Sequence, residues 1–325
     1  MLLNIILVIV GAALVLVGAD KLTDGGVALA RRFGISEMVI GLTIVAFGTS
    51  LPEFIVSLLA SIDGSPAMGI GNVVGSNVFN TLMIVGVTAM VAPIAVTKST
   101  IYKDIPFSLL ASIVLAALAL DSIFGTAGQS DTLSRGDGIA LLGFFAVFMT
   151  YSFAIAHNET SSTDDSITAE SSASEPMSLL RAAVYILIGL LGLIFGGELF
   201  VRGASDIARD LGVSEAVIGL TLVAGGTSLP ELATSVIAAR KGRSGLAIGN
   251  VIGSNLFNIF WILGLCSAVT PMPAAGMEWT DFAVLIASGL LFWLFSRTKH
   301  LIQRWEGAAL VAVYLIYLAQ LLSNV

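Results

Sequence analysis

A six-residue string, Gly-Thr-Ser-Leu-Pro-Glu, occurs twice in this chain, at 48–53 and at 226–231. Both copies sit in the middle of long apolar runs. A charged side chain there costs roughly 2.5–3.5 kcal/mol on membrane-insertion scales. Ionisable residues at such depth mark ion or proton pathways by default. The plainer reading is a pair of structural carboxylates, protonated or hydrogen-bonded between helices. It does not explain why Glu53 and Glu231 incur the same cost at matched positions. Pro52 and Pro230 each stand one residue before the carboxylate. Proline lacks an N–H and clashes with the carbonyl four residues back, here Gly48 and Gly226, so carbonyls in that turn are freed for another partner. Thr49 and Ser50, with Thr227 and Ser228, add hydroxyl oxygens one turn from each glutamate. A lone proline in a membrane helix is often only a kink; the doubled string weighs against that reading.

A second doubled string supplies a facing surface: Gly-Asn-Val-Val-Gly-Ser-Asn-Val-Phe-Asn at 71–80 and its near copy at 249–258. Gly71 and Gly75, four apart, share a helix face suited to close packing. Ser76 and Asn80 share another, with Asn72 below them, while Asn77 falls elsewhere and is left to bond the backbone. The second copy offers Gly249, Gly253, Asn250, Ser254 and Asn258. All the candidate ligands are oxygens. The only histidines, His157 and His300, lie at span ends, and the single cysteine, Cys266, lies in an apolar stretch as packing. An oxygen cage suits hard cations, whereas zinc and copper favour nitrogen and sulfur. Two carboxylates neutralise one Ca²⁺, and the same cage can hold Na⁺ instead. Competition for one set of oxygens, with occlusion between two sides, gives counter-transport without covalent chemistry. With no Ser/His dyad and no His-Glu-x-x-His string, the chain is not read as an enzyme.

These residues must be held by membrane helices. Of 325 residues, 56% are hydrophobic and 11% charged, against about 25% charged in soluble domains. Apolar runs between polar breaks predict ten spans near 2–20, 36–60, 67–92, 104–121, 138–156, 179–201, 214–239, 245–270, 280–296 and 304–322. The first has no basic leader or small-residue cleavage site and reads as a retained helix. The stretch 157–178 is polar, acidic and rich in Ser and Thr, which predicts a linker. It divides the chain into a first repeat, 1–156, and a second, 179–325.

The repeats are legible in register. Segment 41–93 matches 219–271 without a gap, at 27 of 53 positions and a constant offset of 178. Shared membrane composition does not align polar residues and glycines. Five spans separate equivalent helices, and an odd number inverts the second copy. The expected fold is all-α and integral to the membrane: two inverted five-helix repeats, with helices 2 and 7 broken. Twelve Lys and Arg fall on one set of loops and span ends, three on the other. The basic side is expected to face the cytoplasm, with both termini outside and the linker inside. Inverted repeats with discontinuous helices build transporters around a midplane site.

At this point the paired strings resemble the two α-repeats of the sodium/calcium exchangers, within the calcium/cation antiporter superfamily, and above all its short prokaryotic members without a large regulatory domain. The resemblance implies a multi-pass protein of the cell (inner) membrane that exchanges Na⁺ for Ca²⁺ by alternating access. Glu53 and Glu231 match the calcium-coordinating glutamates. Thr49 and Thr227 match threonines that offer backbone carbonyls. Ser50, Ser228, Ser76 and Ser254 match sodium ligands, and Ala46 and Ala224 match positions whose carbonyls face a sodium site. Asn80 and Asn258 end the polar cluster. Many members carry aspartate at one or both of these last positions. Asparagine at both leaves a formal site charge of −2, excludes proton uptake there and argues against potassium dependence. The partners implied are the lipid bilayer and the transported Ca²⁺ and Na⁺, with no organic cofactor, no nucleic acid and no required protein partner, so that a monomer suffices. Two alternatives stand: a Ca²⁺/H⁺ antiporter with Glu53 and Glu231 as proton carriers, and a cation channel.

Overall fold

The computed structural model describes residues 1–124, 130–161, 177–274 and 277–323. Among these residues eight helices are long and apolar enough to cross a membrane. They are α1 (Leu2–Phe33), α3 (Pro66–Val91), α4 (Thr100–Ala119), α5 (Arg135–Ser161), α6 (Leu179–Asp210), α8 (Ser244–Val269), α9 (Trp279–Arg297) and α10 (Arg304–Ser323). Two further spans are bent pairs: α2 (Glu37–Thr49 with Leu51–Ile62) and α7 (Thr221–Thr227 with Leu229–Arg240, led in by Glu215–Ile218). This is the expected set of ten.

The same punctuation separates equivalent helices in each half. Gly34 ends α1 in the left-handed region, at φ 64°, and Ser36 accepts from Val39 N to start α2. Gly212, at φ 84°, and Ser214, which accepts from Val217 N, do the same between α6 and α7. Glycine tolerates the left-handed conformation and serine satisfies a free helix N–H.

α3 and α8 lie at the centre. They bury 78% and 83% of their central stretch, against 17–39% for the other long helices. α2 and α7 pack beside them, and α4, α5, α9 and α10 surround these four. Two-residue antiparallel strands tie the outer loops: β1 (Ile94–Ala95) pairs with β4 (Leu301–Ile302), and β2 (Thr132–Leu133) with β3 (Met272–Pro273).

α1 and α6 depart from the expected lengths. Each has 32 residues, about 48 Å at 1.5 Å per residue, well beyond the apolar runs 2–20 and 179–201. The extra turns are polar on one side and continue the contact between the two helices. That contact is glycine-lined. A Cβ on Gly18 would stand 2.8 Å from the Gly189 carbonyl oxygen, and one on Gly189 2.8 Å from that of Gly18. Gly11 and Gly196 face each other likewise, at 2.7 and 2.9 Å. The two backbones therefore pack as one antiparallel unit. α5 also runs past the expected boundary at 156, to Ser161. Of the expected linker, 157–178, residues 162–176 lie outside the described residues, and Ser178 caps the start of α6.

Candidate functional site

The breaks fall where the prolines predict. α2 bends by 47° and α7 by 58°. The backbone leaves helical geometry at Ser50 (φ −84°, ψ 6°) and Ser228 (φ −91°, ψ 8°), and Pro52 and Pro230 fill the second position of the following arm. Proline is tolerated there because the first turn's N–H groups have no intrahelical acceptor. One consequence was not legible in the motif. Glu53 and Glu231 stand in the first turn of a half-helix, where the positive end of the helix dipole favours a carboxylate.

The two breaks interlock. Ser228 Oγ donates to Glu53 Oε1 at 2.8 Å, and Ser50 Oγ donates to Glu231 Oε1 at 3.1 Å. Each serine at one break thus holds the glutamate of the other half. Both carboxylates are buried, Glu53 at 1% exposure and Glu231 at 0%. The central helices secure the arms from behind. Asn72 Nδ2 donates to the Glu53 carbonyl at 3.4 Å and Ser57 Oγ at 3.1 Å. Asn250 Nδ2 repeats this with the Glu231 carbonyl at 3.3 Å and Ser235 Oγ at 3.0 Å.

Asn77 and Asn255 form a second layer at the site, on a helix face other than that of Ser76 and Asn80. Asn258 Nδ2 donates to Asn77 Oδ1 at 2.9 Å, and Asn80 Nδ2 to Asn255 Oδ1 at 3.1 Å. Asn77 Nδ2 in turn donates to the Asn255 carbonyl at 3.1 Å, the backbone bond expected of that position, and Asn255 Nδ2 to Thr81 Oγ1 at 2.9 Å. Asn80 and Asn258 are therefore anchored by their nitrogens, with their oxygens turned away. The available signal was an asparagine three residues before each of them, doubled in register. π-helical segments at Phe79–Ile84 and Phe257–Leu263 begin one residue before each. Such segments occur often at functional sites.

Five buried oxygens in this cluster accept no hydrogen bond: Glu53 Oε2, Glu231 Oε2, Asn80 Oδ1, Asn258 Oδ1 and Ser76 Oγ. An unsatisfied buried polar group costs about 1–3 kcal/mol, more if charged. Four of the five are carboxylate or amide oxygens, which can only accept. What completes them must be positive or carry a proton, and an amide oxygen does not take up a proton at neutral pH. Among the described residues no group of three or more His, Cys, Asp or Glu side chains gathers. The donor set is thus two carboxylates and neutral oxygens, the composition a hard cation accepts.

The remaining expected residues divide by half. Thr49 is fully buried, and its hydroxyl reaches Asn250 Oδ1 at 3.1 Å and Ser254 Oγ at 3.5 Å. Ser254 Oγ lies 3.4 Å from Glu231 Oε1. The Ala46 carbonyl accepts from Thr49 Oγ1 at 3.3 Å and Ser50 N at 3.0 Å. In the other half Thr227 is half-buried and turns back to the Ala224 carbonyl at 3.2 Å, while Ala224 is exposed.

Related sequences with this fold occur in known proteins. The sequence profile of the family described as "Sodium/calcium exchanger protein" matches residues 3–154 and 181–322, one block per repeat. The inner membrane protein YrbG of Escherichia coli (strain K12) is 36% identical over 325 residues, covering 99% of this chain and 97% of its own. The sodium/calcium exchanger MaX1 of Methanosarcina acetivorans is 33% identical over 343 residues, covering 98% of each chain. A solved structure of the sodium-calcium exchanger NCX_Mj superposes with a TM-score of 0.83 at 36% identity, covering 98% of this chain and 99% of that one. On both sequence and fold, the chain belongs to the sodium/calcium exchanger family.

Proposed function

We propose that this protein is a secondary active cation antiporter that exchanges Na⁺ for Ca²⁺ at the interlocked breaks. The observation that carries the reading is the set of five unsatisfied buried oxygens around two carboxylates. Glu53 and Glu231 supply the charge, one Ca²⁺ or a set of Na⁺ ions balances it, and Asn80, Asn258 and Ser76 complete the shell. Ser50, Ser228 and Ser254, with the carbonyls of Thr49, Thr227, Ala46 and Ala224, are the further oxygens offered to Na⁺. Ca²⁺ takes six to eight such ligands at about 2.3–2.6 Å, a number the cluster can reach from one chain alone. The unsatisfied amide oxygens favour a metal ion over a proton, which could satisfy only the carboxylates.

The basic end of the bundle faces the cytoplasm and the end with both termini faces outward, in the cell membrane. In that orientation the exposed Ala224 and Gly75 belong to an outward-facing access path. Alternating access follows if the α1–α6 unit shifts across the four central helices and exposes one end at a time. No step is covalent, and no organic cofactor or protein partner is required.

Purified protein in proteoliposomes should take up ⁴⁵Ca²⁺ against an outward Na⁺ gradient, with saturation, and with no requirement for a pH gradient. Uptake driven by a pH gradient without Na⁺ would replace this reading with proton exchange. Ohmic single-channel current would replace it with a pore.

A further inference from the structure

Lys241, which directly follows α7 at the basic end, grips α1. Its Nζ lies 2.6 Å from Asp20 Oδ1 and 2.7 Å from Asp24 Oδ1, and it donates to the Asp20 carbonyl at 3.3 Å. These bonds join the glycine-packed α1–α6 unit to the central helices.

The repeat offset of 178 extends to these elements. Leu51–Ile62 maps onto Leu229–Arg240, end to end, and Gly11, Gly18 and Gly25 map onto Gly189, Gly196 and Gly203. Under the same offset Lys241 maps onto Asp63, Asp20 onto Glu198 and Asp24 onto Arg202. Asp63 therefore follows α2 at the termini end as Lys241 follows α7 at the basic end. Glu198 and Arg202 stand on α6 where Asp20 and Asp24 stand on α1. Both signs are reversed in one pairing: the Lys241–Asp24 ion pair corresponds to Asp63 and Arg202, which again attract. Asp63, Glu198 and Arg202 are exposed, and among the described residues none of the three forms an ion pair.

We propose that Asp63 and Arg202 form a second latch, which closes the termini end in the opposite conformation after Lys241 releases Asp20 and Asp24. The proposal rests on the alternating-access reading. In an inverted repeat, the opposite conformation is reached when the halves exchange roles. α6 then approaches the end of α2 as α1 approaches the end of α7 here, and Arg202 comes to Asp63. The transition exchanges the contacts of Lys241 with Asp20 and Asp24 for the Asp63–Arg202 pair, and because Asp20 maps onto Glu198, which repels Asp63, the second latch is the weaker of the two. Each pair is largely open to water, where such bonds are individually weak, and a latch must release in every cycle.

Cysteine cross-linking tests this in the full chain, in proteoliposomes, with the single native cysteine removed (Cys266→Ala). The Asp24→Cys/Lys241→Cys pair should cross-link in the conformation described here. The Asp63→Cys/Arg202→Cys pair should cross-link when Na⁺ and Ca²⁺ gradients drive turnover, and each link should arrest ⁴⁵Ca²⁺ flux until it is reduced. A 63–202 pair that never links during measurable flux would overturn the latch. Absence of Na⁺-coupled flux in the parent protein would instead overturn the exchange reading beneath it.

Charge reversal gives a second reading without cysteines. Arg202→Glu alone should slow exchange about two- to five-fold, the range an exposed ion pair commands. Adding Asp63→Lys gives the outer cluster the charge pattern of the inner one and should restore the rate. A double variant as slow as the single one would refute the pairing.

Discussion

The first arm of α2 against α8, and the first arm of α7 against α3, are nearly the same residues in two different packings. At the basic end the backbones touch. A Cβ on Gly249 would stand 2.5 Å from the Met38 carbonyl oxygen and 3.0 Å from Leu42 N, and one on Gly253 2.6 Å from the Ala46 Cβ and the Leu42 carbonyl oxygen. Gly41 is equally tight, 2.7 Å from the Leu246 carbonyl oxygen. At the termini end their counterparts Gly71, Gly75 and Gly219 meet nothing within 4 Å. Ala46 is fully buried, whereas Ala224 is exposed. Because the sequences match, the difference belongs to conformation. One end of the site is sealed by glycine packing and the other is open.

The largest effects should ignore this asymmetry. Glu53→Gln and Glu231→Gln each remove half the site charge and leave the other carboxylate against a divalent ion. Removing one partner of a buried charge pair costs about 3–5 kcal/mol, so Ca²⁺ affinity should fall about 100-fold or more in each. ⁴⁵Ca²⁺ flux measures it. If both variants retain full exchange, the site assignment fails; if only one does, the halves are not equivalent.

The glycines should separate the halves. Gly249→Ala overfills the sealed contact and should lower stability by about 1–3 kcal/mol, read as thermal unfolding in detergent. Gly71→Ala meets open space here and should leave stability unchanged, yet slow exchange about ten-fold by obstructing the opposite conformation. Equal effects of the two on stability would contradict the sealed-and-open description.

Smaller still, Thr49→Val should cost about 1 kcal/mol of stability, because its hydroxyl bridges to Asn250 and Ser254. Thr227→Val should cost less, about half a kcal/mol, since Thr227 is partly solvated and its hydroxyl turns back to the Ala224 carbonyl. The smallest effect belongs to neither packing. Deletion of 161–174, nearly all outside the described residues, should leave flux within about two-fold of the parent, as its polar composition leads one to expect. Lost transport would give that stretch a function.

Much of this was legible beforehand. Helix boundaries of α3, α8, α9 and α10 fall within a residue or so of the apolar runs, because polar residues or prolines bound those runs at both ends. α1 and α6 overran theirs because each packs its polar turns against the start of the other helix, Gly25 against Ala182 and Gly203 against Asn4, which apolar counting does not register. Ser50, Ser228 and the two glutamates were visible as a doubled motif. Asn77 and Asn255 were visible as residues but not as anchors, because their partners lie on a helix about 178 residues away in sequence.

The sequence alone determined the duplication, the inversion, the two breaks and two doubled polar strings in which Glu53 and Glu231 are the only charges. These follow from local rules: hydropathy over about 20 residues, proline's missing donor, and identity in register. Only the tertiary structure decided that each serine bonds the opposite glutamate, that the asparagine oxygens are left without donors, and that one end is shut. The doubled strings are alike in both halves and do not say which half packs tightly at a given moment. That choice is a balance of glycine contacts and ion pairs between the halves, and it exists only when both halves are folded together.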